Sequence, residues 1–311
     1  DGDFTATVTG TAAATDLTDI DAATSVTVDA SALTAISGTG AEVAAVVAGD
    51  ITTGNYTTTL SGTSSAADAN TVMGDTSGIV TATVTATGAV SGLNSALSNA
   101  SATDALTLVL DAIIASAADL NTLDGKTSVN INAASITDVT SSTADDVNTM
   151  VTNISEIGLS GTWNVTLSDA SLSAAEVKTI NVGTSGVIDM SAATAIESSS
   201  ISDILEIINN TGATFATATN YTVTISDNSA SAANIKLIND DSTGAINMSA
   251  VATITSSSAS DVLEIVQNTG AAFTTATDYA VILSGTTSAA NANTIMDDTT
   301  GIVTATVTAT G

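Results

Sequence analysis

A repeat of about 58 residues constrains the fold of this chain more than any other feature, because similarity at a fixed period indicates a repeat architecture. The segment Val165–Asp169 recurs as Val223–Asp227 and, with substitutions, as Val281–Gly285. Between these copies, Asp203–Asn210 matches Asp261–Asn268 at the same spacing. In such an array each supersecondary unit buries its apolar face against its neighbours.

The repeat predicts a single continuous array over residues 1–311, clearest in residues 129–311 and degenerate in residues 1–128. The segment Phe4–Thr9 resembles Val303–Thr308, so the chain starts and stops at equivalent points of the repeat, without an atypical capping coil. We interpret the chain as a fragment of a longer array, or as a protomer that stacks into a filament.

Each repeat contains two strand-like segments, which indicate two coils, and short segments with the chemistry of a helix start. The strand-like segments alternate apolar and polar residues and are rich in β-branched side chains. At each helix start a Ser or Thr can cap a backbone N–H group, and an acidic residue follows three positions later. Five such starts are Ser116–Asp119, Thr143–Asp146, Ser173–Glu176, Ser200–Asp203 and Ser258–Asp261.

The order of strand, capped helix and strand, with no two-residue hairpin turn, predicts parallel pairing through helical crossovers. We therefore expect an α/β solenoid of about twelve stacked coils, each a strand plus a short helix, with one parallel sheet. In coil length and strand–helix alternation the repeat also looks like a leucine-rich repeat. The consensus Leu and Asn positions are missing, which argues against a leucine-rich ligand-binding role.

Charge and composition exclude several classes of partner. The chain has three Lys, no Arg, no His and no Cys against 32 acidic residues, a formal net charge of −29. Nucleic acid and anionic lipid both require a basic surface, so we expect neither as a partner. No apolar run is long enough to span a membrane. The usual zinc, copper and iron ligands are absent, which leaves oxygen ligands suited to calcium or magnesium.

Catalytic groups are equally scarce. Without His, Cys or Arg, a Ser-His-Asp or Cys-His arrangement and an arginine clamp are excluded. A carboxylate pair could serve glycoside hydrolysis, but the candidates Glu206 and Glu264 recur at the repeat period. Because a catalytic pair normally occurs once whereas a structural residue recurs, we predict no catalytic residues, no small-molecule substrate and no enzymatic activity.

We expect no cofactor, although the residues allow calcium, for which Asp240, Asp241, Asp297 and Asp298 are weak candidate ligands in loops just before strands. Neither a Gly-Gly-x-Gly-x-Asp repeat nor an EF-hand loop is present. The favoured interpretation is that many acids cap helices and the others are solvated surface charge.

Two further patterns have structural interpretations. Thr81, Thr83 and Thr85 alternate as on an ice-binding face, but Val129–Asn132 and Val187–Met190 do not continue the pattern, so ordinary β-propensity explains these threonines better. Phe215 and Phe273 recur one repeat apart, and we interpret them as plugs over the core beneath an extra loop of the longer coil.

The segments Ser65–Met73 and Gly78–Thr85 resemble repeats of very large secreted cell-surface proteins of marine bacteria, cyanobacteria especially. Similar Ala/Thr/Ser-rich arrays look like parts of marine phage fibres. The resemblance implies an extracellular layer, filament or adhesive surface.

The expected function is a structural repeat module of an extracellular or cell-surface assembly: a filament, a surface layer or a sheath. Its partners would be identical chains, associated end to end or side by side. Durability fits this role, since trypsin-like proteases would find only three Lys sites. The alternative is the shaft of an adhesin or phage fibre whose binding tip lies outside this chain.

Overall fold

A computed structural model describes residues 3–210, 214–268 and 272–308. The chain divides into two compact units. The first unit comprises Asp1–Thr140 and Thr149–Trp163, and the second comprises Ser141–Asn148 and Asn164–Gly311. Strands and helices alternate in both units. We call one or more strands together with the helix that follows them a strand–helix motif.

The first unit contains short strands and short helices, and β8 and α6 include the boundary with the second unit. The elements are β1 (Thr7–Ala13), α1 (Ala14–Ala22), β2 (Val28–Thr39), α2 (Gly40–Ala48), β3 (Ile51–Thr53), β4 (Thr57–Ser64), α3 (Ala66–Asp75), β5 (Val80–Val84), α4 (Val90–Ala96), β6 (Ala105–Leu108), β7 (Ile114–Ala115), α5 (Ala117–Asp124), β8 (Asp138–Ser142), α6 (Ala144–Thr152) and α7 (Ile154–Ile157).

The second unit continues the same alternation. Its elements are β9 (Asn164–Leu167), β10 (Ser171–Leu172), α8 (Ala174–Gly183), β11 (Ile188–Met190), β12 (Ala195–Ser199), α9 (Ile201–Asn210), β13 (Phe215–Thr217), β14 (Thr222–Ile225), β15 (Ser229–Ala230), α10 (Ala232–Asp241), β16 (Ile246–Met248), β17 (Thr253–Ser257), α11 (Ala259–Asn268), β18 (Phe273–Thr275), β19 (Ala280–Ser288), α12 (Ala289–Asp298) and β20 (Val303–Thr308).

Pairing between the described strands is parallel, which confirms an α/β fold with helical crossovers. In the first unit the strand order is β1-β2-β4-β5-β6, and β3 also pairs with β2. Ile36 lies opposite Thr58, and Thr58 lies opposite Val80, so a single helix separates each strand from its partner at this position. β7 pairs with β8 in the same direction.

The alternating strand pattern produces a buried face and a solvent face. In β5, Val80, Ala82 and Val84 are buried, whereas Thr83 is exposed. Helix α3 contributes Val72 to the same core, because it packs against β5. The core therefore lies between the strands and the helices that connect them.

The five helix starts inferred from the sequence are confirmed. In each case the hydroxyl of the Ser or Thr accepts a hydrogen bond from the backbone N–H of the acidic residue three positions later. Ser173 and Glu176 form a reciprocal capping box. These caps satisfy N–H groups that have no partner within the helix.

The expectation of one parallel sheet is wrong, because the described strands form several separate sheets. In the second unit, β13, β14 and β15 all precede α10. β13 pairs back with β11, and β14 pairs both back with β12 and forward with β16. β15 pairs forward with β17.

In this motif of three strands, the first strand pairs only with an earlier strand and the last pairs only with a later one. One sheet therefore ends at β13 and another begins at β15. Phe273, in β18, pairs with Ile246 in the same way that Phe215, in β13, pairs with Ile188. Both phenylalanines are buried, but they begin strands rather than lie beneath an extra loop. The strands β13 and β18 are each the last strand of their sheet.

Candidate functional site

The most regular polar arrangement is a pair formed by a buried tyrosine and the last aspartate of the next helix. We call it the tyrosine–aspartate clamp. The three tyrosines of the chain all occupy this position, and each is no more than 2 % exposed. Each hydroxyl donates to a carboxylate: Tyr56 to Asp75 at 2.9 Å, Tyr221 to Asp241 at 2.5 Å and Tyr279 to Asp298 at 2.6 Å.

Burial, assisted by the facing carboxylate, raises the pKa of all three tyrosines well above the ordinary value of 10. The phenol is therefore held neutral as a hydrogen-bond donor. A tyrosine fixed as a donor to a carboxylate fastens a helix end to the preceding strand, and it is a poor proton donor for chemistry near neutral pH.

A buried hydroxyl and a glycine complete the clamp. Ser242 follows Asp241, donates to the Tyr221 carbonyl oxygen at 2.5 Å and accepts from the Gly244 N–H at 3.0 Å. A Cβ on Gly244 would overlap that same carbonyl oxygen, so the close approach requires glycine. Thr299 makes the equivalent bonds to Tyr279 and Gly301.

The candidate calcium ligands lie at helix ends and not in loops. Asp241 and Asp298 accept the tyrosine hydroxyls of two clamps. Asp240 forms an ion pair with Lys236 at 3.1 Å, and Asp297 is exposed at the end of α12. Within the described residues, no three Asp or Glu side chains form a group that could hold a metal ion.

The two recurrent glutamates, Glu206 and Glu264, form ion pairs with lysines of the same chain. Glu206 lies 3.5 Å from the Nζ atom of Lys178, and Glu264 lies 3.1 Å from that of Lys236. In both cases the lysine belongs to the preceding helix, so the pair joins successive motifs. Both pairs are partly exposed, and their contribution to stability is correspondingly small.

Buried serines form a second recurrent link. The Ala174 N–H, in the first turn of α8, donates to the Ser199 hydroxyl of the following motif at 2.8 Å. The Ala232 N–H donates to Ser257 in the same way at 2.7 Å. The alternate helix starts use a carboxylate instead: Asp169 accepts from the Ala144 N–H, and Asp227 accepts from the Ile201 N–H.

A pair of acids in the first unit comes nearest to an unusual titrating site. Asp124 and Glu156 line a small cavity of about 140 Å³. Burial and the neighbouring Glu156 carboxylate raise the pKa of Asp124, while a hydrogen bond from Asn153 opposes the shift. Two carboxylates alone do not provide the six to eight oxygen ligands that calcium takes.

A groove of about 610 Å³ lies in the first unit, on strands β1, β2, β4 and β5. Its lining is mainly Thr, Ala and Ser, with Ile36 and Ile79 as the large apolar side chains and Asp16 as the acidic one. These lining residues include no nucleophile–base pair.

The clamp tyrosines and the buried serines were not identified as functional positions from the sequence alone. The sequence does contain a sign of them, because Tyr221 and Ser199 recur one repeat later as Tyr279 and Ser257. A search for recurrent polar residues could have identified them. No helix in the described ranges is long and apolar enough to cross a membrane.

Comparisons with protein-family models, curated proteins and solved structures find no match for this chain.

Proposed function

We propose that the chain is a non-catalytic structural module: an α/β solenoid that forms part of an extracellular or cell-surface filament, surface layer or sheath. Its proposed partners are identical chains, and its proposed task is to provide length, coverage and durability.

The observation that carries this proposal is the recurrence of polar contacts within and between the motifs. The clamp at Tyr221 and Asp241 is repeated at Tyr279 and Asp298, and the serine link at Ser199 is repeated at Ser257. Burying a polar group destabilises the folded state unless the group is hydrogen-bonded. Paired polar groups that recur at fixed positions therefore indicate a role in holding the fold together. A catalytic group has no reason to recur in this way.

Parallel pairing over short crossovers supports the solenoid. Strand partners such as Thr58 and Val80, or Val223 and Ile246, are separated in the chain by one short helix and its connections. In a solenoid each repeat contacts chiefly its neighbours, and the array can extend without limit. Small-angle scattering tests this directly: an elongated particle is expected, and a globular one would contradict the solenoid.

Electron microscopy of the purified chain, with and without a calcium chelator, tests the assembly. Ordered filaments or sheets are the expected result. Isolated, monodisperse rods at every concentration would overturn self-assembly and favour the shaft of an adhesin or phage fibre. Assemblies that disappear on chelation would show that calcium joins the copies.

A further inference from the structure

The outer face of the first unit's sheet presents threonines in register. Thr59 lies opposite Thr81, and Thr63 lies opposite Thr83, which in turn lies opposite Thr107. We call these five residues of β4, β5 and β6 the threonine face.

The sequence predicted that neighbouring strands interrupt this pattern; this holds beyond β6, where Asn132 pairs with Val109, but not on the two strands beside β5. The strands beside β5 are β4 and β6, and not the segments Val129–Asn132 and Val187–Met190. The threonines therefore form a two-dimensional array and not a single row.

The hydroxyl groups of the threonine face are not used inside the fold. Thr58, the residue before Thr59 in β4, is buried and donates to the Ile36 carbonyl oxygen at 2.7 Å. By contrast, the five hydroxyls of the threonine face make no hydrogen bond with any other described residue. Ile79, beside this face, is 51 % exposed. The face thus offers free hydroxyl and methyl groups to an outside partner.

Charge is segregated away from this face. β4, β5 and β6 contain no ionisable residue, although the chain carries a net charge of −29. Acidic residues lie instead in the first turns of helices, as with Glu42 and Asp68, and at helix ends. Acids do lie at the edges of this sheet: Asp104, the residue before β6, accepts from the Val80 N–H at 3.0 Å, Asp16 lines the groove, and Asp29 lies near the start of β2.

We propose that the threonine face is a docking surface for a second copy of this chain, with the two sheets packed face to face. Two copies repel each other wherever their acidic surfaces meet, because the chain has only three basic side chains to offset the acidic ones. The neutral face is the surface on which they can approach closely. Facing sheets pack about 10 Å apart, and small Thr, Ser and Ala side chains suit that distance. This proposal rests on the proposed function, to which it adds the lateral contact.

The size of the sheet that carries this face predicts the strength of the contact. The three strands of the face at about 4.8 Å spacing, each with about five residues at about 3.3 Å, give a surface of roughly 15 by 16 Å. Two such surfaces bury on the order of 500 Å² in total, about half of the 1,000 Å² that a specific interface needs. Association should therefore be weak for a single pair and strong only when many copies align.

Sedimentation analysis over a wide concentration range, with two charge variants, tests the proposal. Both Thr83→Asp and Thr83→Lys should abolish dimerisation, since each would bury unpaired charges between the sheets. Thr71→Lys is the matched control, because Thr71 is an exposed threonine of α3. If net charge alone limited association, both lysine variants would strengthen it. That outcome, or a wild-type chain that stays monomeric at millimolar concentration, would overturn the proposal.

Spin labels locate the contact independently, since the chain has no native cysteine. A label at Thr83→Cys should show dipolar coupling between copies, and a label at Thr71→Cys should not. Coupling at Thr71→Cys alone would place the interface on the helices and refute the sheet contact. Filaments formed by a chain with no coupling at Thr83→Cys would likewise refute it, while leaving the proposed function intact.

Discussion

At the scale of single residues, buried hydroxyls link one motif to the next. Ser257 is 2 % exposed, accepts from the Ala232 N–H and donates to the Thr255 carbonyl oxygen at 2.8 Å. Ser257→Ala would leave a buried N–H group without its acceptor, which costs about 1–3 kcal/mol. We expect urea denaturation to show this loss in the free energy of unfolding.

Ser249→Ala is the matched control for this variant. Ser249 is exposed, so the same removal of one hydroxyl should change the free energy of unfolding by less than about 0.5 kcal/mol. Equal effects of the two substitutions would show that the serine link does not stabilise the fold.

The clamp tyrosines predict a loss of stability at high pH. Their pKa values are raised in the folded state, so this contribution is complete below the unfolded value near 10 and is lost as pH rises above it. Each tyrosine should lower the free energy of unfolding by about 1.4 kcal/mol per pH unit above 10.

Tyrosinate absorbance measures this effect directly, because Tyr56, Tyr221 and Tyr279 are the only tyrosines. Tyrosinate absorbance should rise together with unfolding. Tyr221→Phe should reduce the pH dependence of the free energy of unfolding by about a third. Ionisation of tyrosine in a chain that is still fully folded would contradict the clamp.

At the scale of elements, β-bulges let the linking serines reach the preceding helix. Ser198 and Ser256 have positive φ angles of 46° and 42°, and the strand register shifts at both places. The shift directs Ser199 and Ser257, the next residues, towards the helix N-terminus. A left-handed conformation costs a non-glycine residue about 1–2 kcal/mol, and a β-branched one more.

The bulge in β17 can therefore be tested by two substitutions of one residue. Ser256→Val should destabilise the protein by about 1–2 kcal/mol relative to Ser256→Gly, because valine resists a positive φ. Thermal or urea denaturation of both variants measures the difference. In an ordinary exposed strand the valine variant would be more stable than the glycine variant. A valine variant at least as stable as the glycine variant would therefore contradict the bulge.

Local features of the elements were predictable from the sequence, whereas their lateral placement was not. The cap at Ser173 and the strand at Val80–Val84 follow from chemistry within a few residues, and both are present. Phe215 and Phe273 have no such local signal. Whether they begin strands depends on pairing with Ile188 and Ile246, which lie in the chain beyond an intervening strand and helix.

The candidate site was missed for a related reason. Asp241 and Asp298 were recognised as recurrent acids, but their partners Tyr221 and Tyr279 lie before the helix that each aspartate ends. Each pair is brought together only by the helix that crosses over between the strands. The sequence around each aspartate therefore suggests a metal ligand, although in the fold the aspartate accepts a hydrogen bond from a tyrosine.

At the scale of the whole molecule, a net charge of −29 opposes the compact state through self-repulsion. Screening by salt should therefore raise the melting temperature at pH 7, since the Debye length falls to about 10 Å at 0.1 M and about 3 Å at 1 M. A melting curve at several sodium chloride concentrations measures this general effect.

Calcium and magnesium separate that general effect from specific binding. At equal ionic strength we expect the two ions to raise the melting temperature equally, because two of the four candidate carboxylates, Asp241 and Asp298, already accept tyrosine hydroxyls. A larger rise with calcium, lost in the double variant Asp297→Asn with Asp298→Asn, would contradict this. The same neutralisation at Asp16 and Asp19 is the control, since it removes equal charge from α1 and should leave any calcium-specific rise in place.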